Sequence, residues 1–534
     1  MKSIQIKRAS LVVIAVVLVA LSASSQALNE GINKIARTFG MIDAFYVDST
    51  DIDKLTEKTI IEVLKNLDPH STYISAKDVK DMNEPLNGNF EGIGVQFNLL
   101  RDSIIIIEPI AGGPSEKVGI RAGDRILTIN QEKVTGISIS TSGVRSRLMG
   151  PKGTIVNITV FRRGEKDILD FTIIRDKIPI YSVDASYMLD KETGYIKLNK
   201  FAATTDKEFS DAVADLKKNN MQNVVIDLWG NGGGVMLAAT ELADKFFSDE
   251  KLLVYLSGRK TRRQEYKSSG SGSLSSMRVV ILTDEQSASA SEIFAGAIQD
   301  WDRGVIIGRR TFGKGLVQNQ FSLSDGSMIR LTIARYYTPS GRLIQSPYKE
   351  GYDKYMENFL KRYTDGEMMS ADSTHFPDSL KFKTLVNKRV VYGGGGIMPD
   401  VFVPADTSYS SPYFNKLFQK NVLNTFTLDY YDKNRTALNN RYKTFEDFRK
   451  GFQFSPDDIK SFIAKGESDG VKYNDEQFNK SREEILKVLK GLVATNIWKS
   501  SEYFQIVNEN DKVIAIALKV ISDKKSYNKL LGYQ

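Results

Sequence analysis

Apolar residues recur along this chain with several different periods, and each change of period marks a division. Leu11 to Leu21 is almost unbroken Leu, Val, Ile and Ala; Lys2, Lys7 and Arg8 precede it, and Ser22-Ala23-Ser24-Ser25-Gln26-Ala27 follows. A basic head, a short apolar run and a small-residue exit make a secretory signal, with Ser25-Gln26-Ala27 as its cleavage site. No amphipathic face is present, which argues against a buried core helix. The run falls short of the roughly 20 residues of a membrane span, so a cleaved signal is favoured over a permanent anchor. Residues 1–27 are therefore expected to be a signal peptide or signal anchor. The protein should work outside the cytoplasm, periplasmic or otherwise exported, and held at an inner membrane only if the anchor stays. No cysteine follows the run, which excludes attachment through a lipid.

From 28 to 88 the period is helical, with Ile32, Ile35, Phe39 and Ile42 on one face and Leu55, Ile60, Val63 and Leu64 on the next. Asp68-Pro69-His70-Ser71 interrupts it as a turn, and His70 reads as a turn residue rather than a base. From 89 to 177 the period becomes strand-like. Gly92-Ile93-Gly94-Val95-Gln96-Phe97 enters a strand, Ser103 to Ile107 makes another, and Ala122-Gly123-Asp124-Arg125-Ile126-Leu127 and Thr154 to Val160 follow. The order of these elements resembles a PDZ domain. Such a domain would bind a peptide by strand addition, with Gly92, Ile93, Gly94 and Val95 forming the loop for a terminal carboxylate.

Between 178 and 405 strands and helices alternate. Val224 to Leu228 and Val279 to Thr283 are short β-branched runs, each opening into small residues and then a helix, the pattern of an α/β domain with its sites at strand ends. Lys267 to Ser276, rich in Ser and Gly, reads as a mobile loop, either a linker or a lid. From 406 to 534 the chain is helical and rich in Lys, Tyr and Phe, and no chemistry is legible there.

Composition narrows the chemistry. The 534 residues, 41% hydrophobic, can bury a sizeable core, and a net charge of +8 on so long a chain is too dilute to point to nucleic acid. There is no cysteine, which removes thiol nucleophiles, disulfides and thiolate metal sites. Only two histidines, His70 and His375, are available to any hydrolytic site that needs an imidazole base.

Three segments of the α/β region carry candidate chemistry. Asp227-Leu228-Trp229-Gly230-Asn231-Gly232-Gly233-Gly234 follows a strand and precedes a helix, so its amides can point into a cavity that suits an oxyanion. It lacks the Lys-Ser/Thr of a phosphate loop and the dinucleotide spacing. Ser287-Ala288-Ser289-Ala290-Ser291-Glu292 also follows a strand. It reads either as a nucleophile turn or as a capping run closed by Glu292. Thr311-Phe312-Gly313-Lys314-Gly315 places a lysine between glycines, with Gln318 four residues on. A lysine is a base only when neutral, so its pKa must fall by about three units through burial or neighbouring cations. With so few histidines, Lys314 is the better placed base for a serine, and Ser–Lys pairs are one solution to that chemistry.

These segments, in order, resemble the C-terminal processing peptidases, or tail-specific proteases. The resemblance rests on Leu67-Asp68-Pro69-His70-Ser71-Thr72-Tyr73, the PDZ-like run, the serine and lysine segments, Leu331 to Gly341, and Gly396-Ile397-Met398-Pro399-Asp400. It implies an α/β multidomain protein: a ClpP/crotonase-like protease core, an inserted PDZ-like domain and helical N- and C-terminal regions. It further implies Ser289 as nucleophile, Lys314 as general base, Gln318 as the group orienting that lysine and Asp300 in a supporting role. The amide of Ala290, with that of Gly234 or alternatively Gly233, would hold the oxyanion. Trp229 departs from the family, which often has arginine there. The implied partners are unfolded or tail-exposed proteins with apolar C-termini, with a homo-oligomer or adaptor left open and neither metal nor cofactor required. Two other readings compete: a PDZ scaffold that binds tails without cutting them, and a crotonase-like acyl-CoA enzyme, which would not need Ser289 with Lys314.

Overall fold

The computed structural model describes residues 26, 28–100, 102–110 and 112–533. The signal segment 1–27 lies outside the described residues except for Gln26. No helix among the described residues is long and apolar enough to cross a membrane.

The centre is a six-stranded sheet in the order Val183–Met188, Thr193–Leu198, Asn223–Asp227, Arg278–Thr283, Val305–Gly308, Val401–Phe402. Its first pair is antiparallel and the other four pairings are parallel. The middle strands are runs of Val and Ile buried on both faces, which is why they read as unbroken apolar stretches rather than as an alternation. One face packs on the helices Thr205–Lys218, Met236–Asp244 and Ala290–Asp300, with Phe209, Leu242, Phe246 and Phe294 in the shared core. The other face is covered from far along the chain: Val513, Ile514, Ala517 and Ile521 of the helix Lys512–Ser522, with Tyr527 and Leu531, pack on Val225, Val280, Leu282 and Ile307. The end of the chain, from Lys512 to Leu531, thus packs with the central sheet, while 413–499 with Ile506 forms separate aromatic-rich clusters around Phe414, Phe426, Phe462 and Phe448.

A second sheet shares the core of the first. Its long strand Met328–Tyr337 pairs with Leu316–Ser322, with Leu252–Ser257 and with the short strand Thr72–Ile74. That last strand lies within the segment read as helical from 28 to 88. Three residues after a proline turn are too few to show a period, and pairing with Met328, Ile329 and Arg330 makes the strand. The segment Lys267–Ser276, expected to be mobile, is stitched down instead. Ser269 bonds Asp244, Gly272 N–H donates to Phe247 O, and Leu274 is fully buried in the core.

The PDZ-like domain is inserted through two strands, Asn89–Gly92 and Asp176–Pro179, which pair antiparallel at its neck. Its own sheet runs Val95–Leu100, Ser103–Pro109, Arg125–Ile129, Ile155–Phe161, Leu169–Ile174, so the strand entered from Gly94 is an open edge. The helix Thr141–Leu148 closes the inner face through Val144 and Leu148.

Candidate active site

Ser289 stands where the strand Arg278–Thr283 has ended and the helix Ala290–Asp300 begins. Its backbone is at φ 57°, ψ −112°, a region an L-residue occupies only when its surroundings impose it. The surroundings do so from both sides. Ala288 N–H donates to Asn231 O at 3.0 Å, and Ser289 N–H donates to the Glu292 carboxylate at 2.8 Å. The helix behind is buried at every position, with Ala295, Gly296 and Ala297 allowing close approach; a Cβ on Gly296 would lie 2.9 Å from Thr338 Cγ2.

Glu292 is the hub of the site. Its Oε1 accepts from Thr311 Oγ1 (2.6 Å) and Gly313 N–H (2.7 Å), and its Oε2 from Lys314 N–H (2.9 Å) and Ser289 N–H (2.8 Å). One carboxylate therefore ties the serine turn to the lysine turn. Burial pushes its carboxyl up to about 7 against the pull of these four donors. The segment carrying it was legible as a capping run, and that simpler signal concealed the longer reach to Gly313 and Lys314.

Tyr336 joins the same two turns from the opposite side. Its hydroxyl lies 2.5 Å from Lys314 O and 3.1 Å from Ser289 O. Residues two apart on a strand share a face, so Arg330, Thr332, Ala334 and Tyr336 lie on one face of the strand Met328–Tyr337. Lys314 is largely buried, and burial, followed by the Arg330 charge, lowers its pKa from the ordinary lysine value. Glu292 and Asp68 pull the other way. Arg330 Nη2 is buried without a hydrogen-bond partner among the described residues.

Gln318 lies opposite Thr332 in the paired strands and donates to Thr332 Oγ1 at 3.2 Å. Thr332 in turn donates to Asp68 Oδ1 at 3.0 Å, and Asp68 also accepts from His70 N–H, Ser71 N–H and Ser71 Oγ. Among the described residues no hydrogen bond joins Gln318 to Lys314, or Lys314 to Ser289 Oγ. His70 borders Lys314. Burial and the Lys314 charge push its ring down to about 4, so it stays neutral beside the lysine.

The glycine loop faces the serine turn directly. A Cβ on Gly233 would lie 2.8 Å from Ala290 N and 2.8 Å from Ser289 Cβ, so only glycine lets the two segments meet. Gly233 N–H is already used, donating to Asn231 Oδ1 at 2.9 Å. The N–H groups of Gly234 and Ala290 have no partner among the described residues. Gly234 is bridged to Phe201, and a Cβ there would collide with Phe201 O. At the loop's start Asp227 is buried between Tyr195 Oη (2.5 Å) and Lys197 Nζ (3.1 Å). Lys197 also donates to Trp229 O at 2.6 Å, so the positive charge beside this loop comes from the neighbouring strand although residue 229 is a tryptophan.

Asp300 is remote from these groups. It makes a fully buried ion pair with Arg342 at 2.5 Å and accepts from Ser340 N–H, fixing the turn after Tyr337. In the PDZ-like domain Gly94 has φ 71°, and the N–H groups of Ile93 and Gly94 have no partner among the described residues, while Ile93 O is held by Ser115 and Gly94 O by Ile110. No cluster of metal-ligating side chains occurs among the described residues.

Residues 192–350 match the model of peptidase family S41, and residues 92–173 match that of the PDZ domain. The carboxy-terminal processing protease CtpA of Bacillus subtilis (strain 168) is 33% identical over 344 residues, 64% of this chain and 72% of that protein. The chain belongs to the S41 family of carboxy-terminal processing proteases. CtpB of the same organism is 33% identical over 331 residues, 61% of this chain and 68% of that one. A probable CtpA-like serine protease of Staphylococcus aureus (strain N315) is 34% identical over 315 residues, covering 59% of this chain and 62% of its own length. Among solved structures, the photosystem II D1 C-terminal processing protease is similar, with 29% identity and a TM-score of 0.33 over 59% of this chain and 90% of that one. Residues 413–499 match a family of unknown function, DUF8443. The protein is therefore a serine-type peptidase with an inserted PDZ domain and a helical C-terminal region.

Proposed function

We propose that this S41 peptidase is an exported endopeptidase that captures the C-terminal tails of protein substrates on its PDZ domain and cuts them with a Ser289–Lys314 dyad. The observation that carries this is the shared hold on the two turns: Glu292 binds the amides of both Ser289 and Lys314, and Tyr336 reaches both carbonyls. Neutral Lys314 takes the proton of Ser289 Oγ as the hydroxyl attacks the scissile carbonyl. The amides of Ala290 and Gly234, both without internal partners, receive the oxyanion. Protonated Lys314 then gives its proton to the departing amine, leaving an acyl-serine. A water deprotonated by Lys314 attacks that ester, and collapse frees the new carboxyl terminus and restores the serine. Gln318 and Thr332 steady the wall beside the lysine. The substrate tail adds to the open edge at Val95–Leu100, with its carboxylate on the amides of Ile93 and Gly94. Apolar final residues suit this groove, since Val95, Phe97 and Leu99 face the domain's apolar interior.

The test uses the purified protein beside Ser289→Ala and Lys314→Ala, each incubated with an unfolded protein ending in apolar residues and followed by mass spectrometry. Cleavage by the parent alone, weakened when the substrate's C-terminus is amidated, is the expected result. A Ser289→Ala protein that cuts as fast as the parent defeats the assignment. A parent that binds the tail without cutting favours the scaffold reading. Export is tested by fractionating cells that produce the full chain and locating it outside the cytoplasm.

A further inference from the structure

The helical region that matches a family of unknown function touches the PDZ domain at one place, and the chemistry of that contact assigns it a role. Within the PDZ strand Ser103–Pro109, Ile104 and Ile106 point into the domain's own core. Ile105 points the other way, yet it is only 7% exposed. What covers it is the helix Val422–Arg441: Leu428 and Tyr431 face Ile105 and Ile107 across a gap of about 30 Å³. Polar contacts surround this apolar kernel. Arg435 donates to Ala122 O, Asp432 pairs with Arg125 at 3.7 Å, and Arg163 donates to Asp432 O at 3.4 Å. Gly123, at φ 88°, turns the chain against Arg435 and Asp432.

The contact uses the outer face of the PDZ sheet and leaves the peptide edge at Val95–Leu100 unpaired. The groove for a tail lies on the inner face, beside the helix Thr141–Leu148. A domain attached through a two-stranded neck would otherwise present that groove in many directions. We infer that the helical region 413–499 is a docking platform that seizes the outer face of the PDZ domain and fixes the direction in which a captured tail is presented to Ser289. This rests on the reading that the PDZ domain captures tails. A small, rim-charged interface of this kind is strong enough to bias orientation and weak enough to be broken by one charge reversal.

The cysteine-free full chain allows two spin labels to be placed by Lys133→Cys, on the PDZ domain, and Asn439→Cys, on the helical region, both exposed. The parent should show one narrow inter-label distance, and Asp432→Arg, which sets like charges against Arg125, should broaden it. In cleavage assays Asp432→Arg should raise KM for a long substrate with a free tail by about tenfold, with kcat held. A short peptide amidated at its C-terminus should be cut as before. Arg125→Asp combined with Asp432→Arg should restore both the narrow distance and the KM. An unaltered label distance in Asp432→Arg, an equal loss on both substrates, or faster cutting of the tailed substrate overturns the proposal. If the parent cuts neither substrate, the catalytic reading fails on its own, and the label distances still decide whether the platform exists.

Discussion

At the scale of single residues, the proposed dyad requires a neutral Lys314, and the Glu292 carboxylate is donated to on both oxygens. Arg330 faces Lys314 from the strand Met328–Tyr337 and lowers its pKa by like-charge repulsion, adding to burial. The rate of a lysine-base enzyme rises with pH as the amine loses its proton, so removing a neighbouring cation must move that rise to higher pH. Arg330→Gln should therefore cut slowly at neutral pH and recover towards the parent rate at alkaline pH, which a kcat/KM profile would show. A uniform loss at every pH would mean that Arg330 acts by shape. Glu292 is a different case, because all four of its bonds are accepted from donors. Glu292→Gln replaces one acceptor oxygen by an NH2 group that must face an N–H donor on either side, Gly313 on one or Ser289 and Lys314 on the other, so the hold on the two turns loosens. A fall in kcat of roughly 100-fold, about 2.7 kcal/mol, with KM little changed, is expected in steady-state assays. Ser289 and Lys314 were singled out in the sequence by the shortage of histidine and by the resemblance to the tail-specific proteases, since the serine segment alone also reads as a capping run. Glu292 was read only as the residue closing a capping run, and Tyr336 was not singled out, since a tyrosine on a strand already has an ordinary explanation.

At the scale of elements, the strands that build the core announce themselves as β-branched runs, and the structure pairs them in parallel as such doubly buried strands require. What the chain pattern hides is pairing between distant short pieces. Thr72–Ile74 becomes a strand only through Met328–Arg330, and no local period foretells it. The glycine loop shows the same limit: its flexibility is legible, but the reason for Gly233 is the serine turn packed against it. Gly233→Ala would place a methyl 2.8 Å from Ala290 N in a backbone at φ 95°. The loop would have to withdraw, carrying Gly234 N–H from the oxyanion position proposed for it. Activity should fall by about two to three powers of ten, as for loss of one oxyanion donor, while circular dichroism shows the fold retained. The Asp300–Arg342 pair predicts the converse. Both side chains are fully buried, so Asp300→Ala strands a guanidinium and should cost about 3–5 kcal/mol of stability in denaturant unfolding. Activity per folded molecule should change little by comparison.

For the whole molecule, the C-terminal region read from sequence as one helical tract of open role divides into two parts with different physical duties. The aromatic clusters of 413–499 pack mainly among themselves and meet the PDZ domain through the helix Val422–Arg441. The helices Lys512–Ser522 and Lys524–Leu530 instead pack on one face of the central sheet, where Tyr527 Oη donates to Val279 O at 2.9 Å. A sequence pattern cannot tell these apart, since an apolar stripe names no partner. Their energetic consequences differ. Ile521→Ala opens a cavity against the sheet that carries Ser289 and should lower the stability of the peptidase core by about 2–5 kcal/mol. Both the serine site and thermal stability would then decline together on heating. Phe462→Ala makes a cavity of similar chemistry inside the helical cluster with Phe426 and Leu417. It should loosen that cluster and the PDZ docking, yet leave the core's unfolding temperature and the cleavage of short peptides close to the parent's. Differential scanning calorimetry with short-peptide assays on the two variants separates the parts. A common drop in both would mean that the C-terminal region folds with the core as a single cooperative unit.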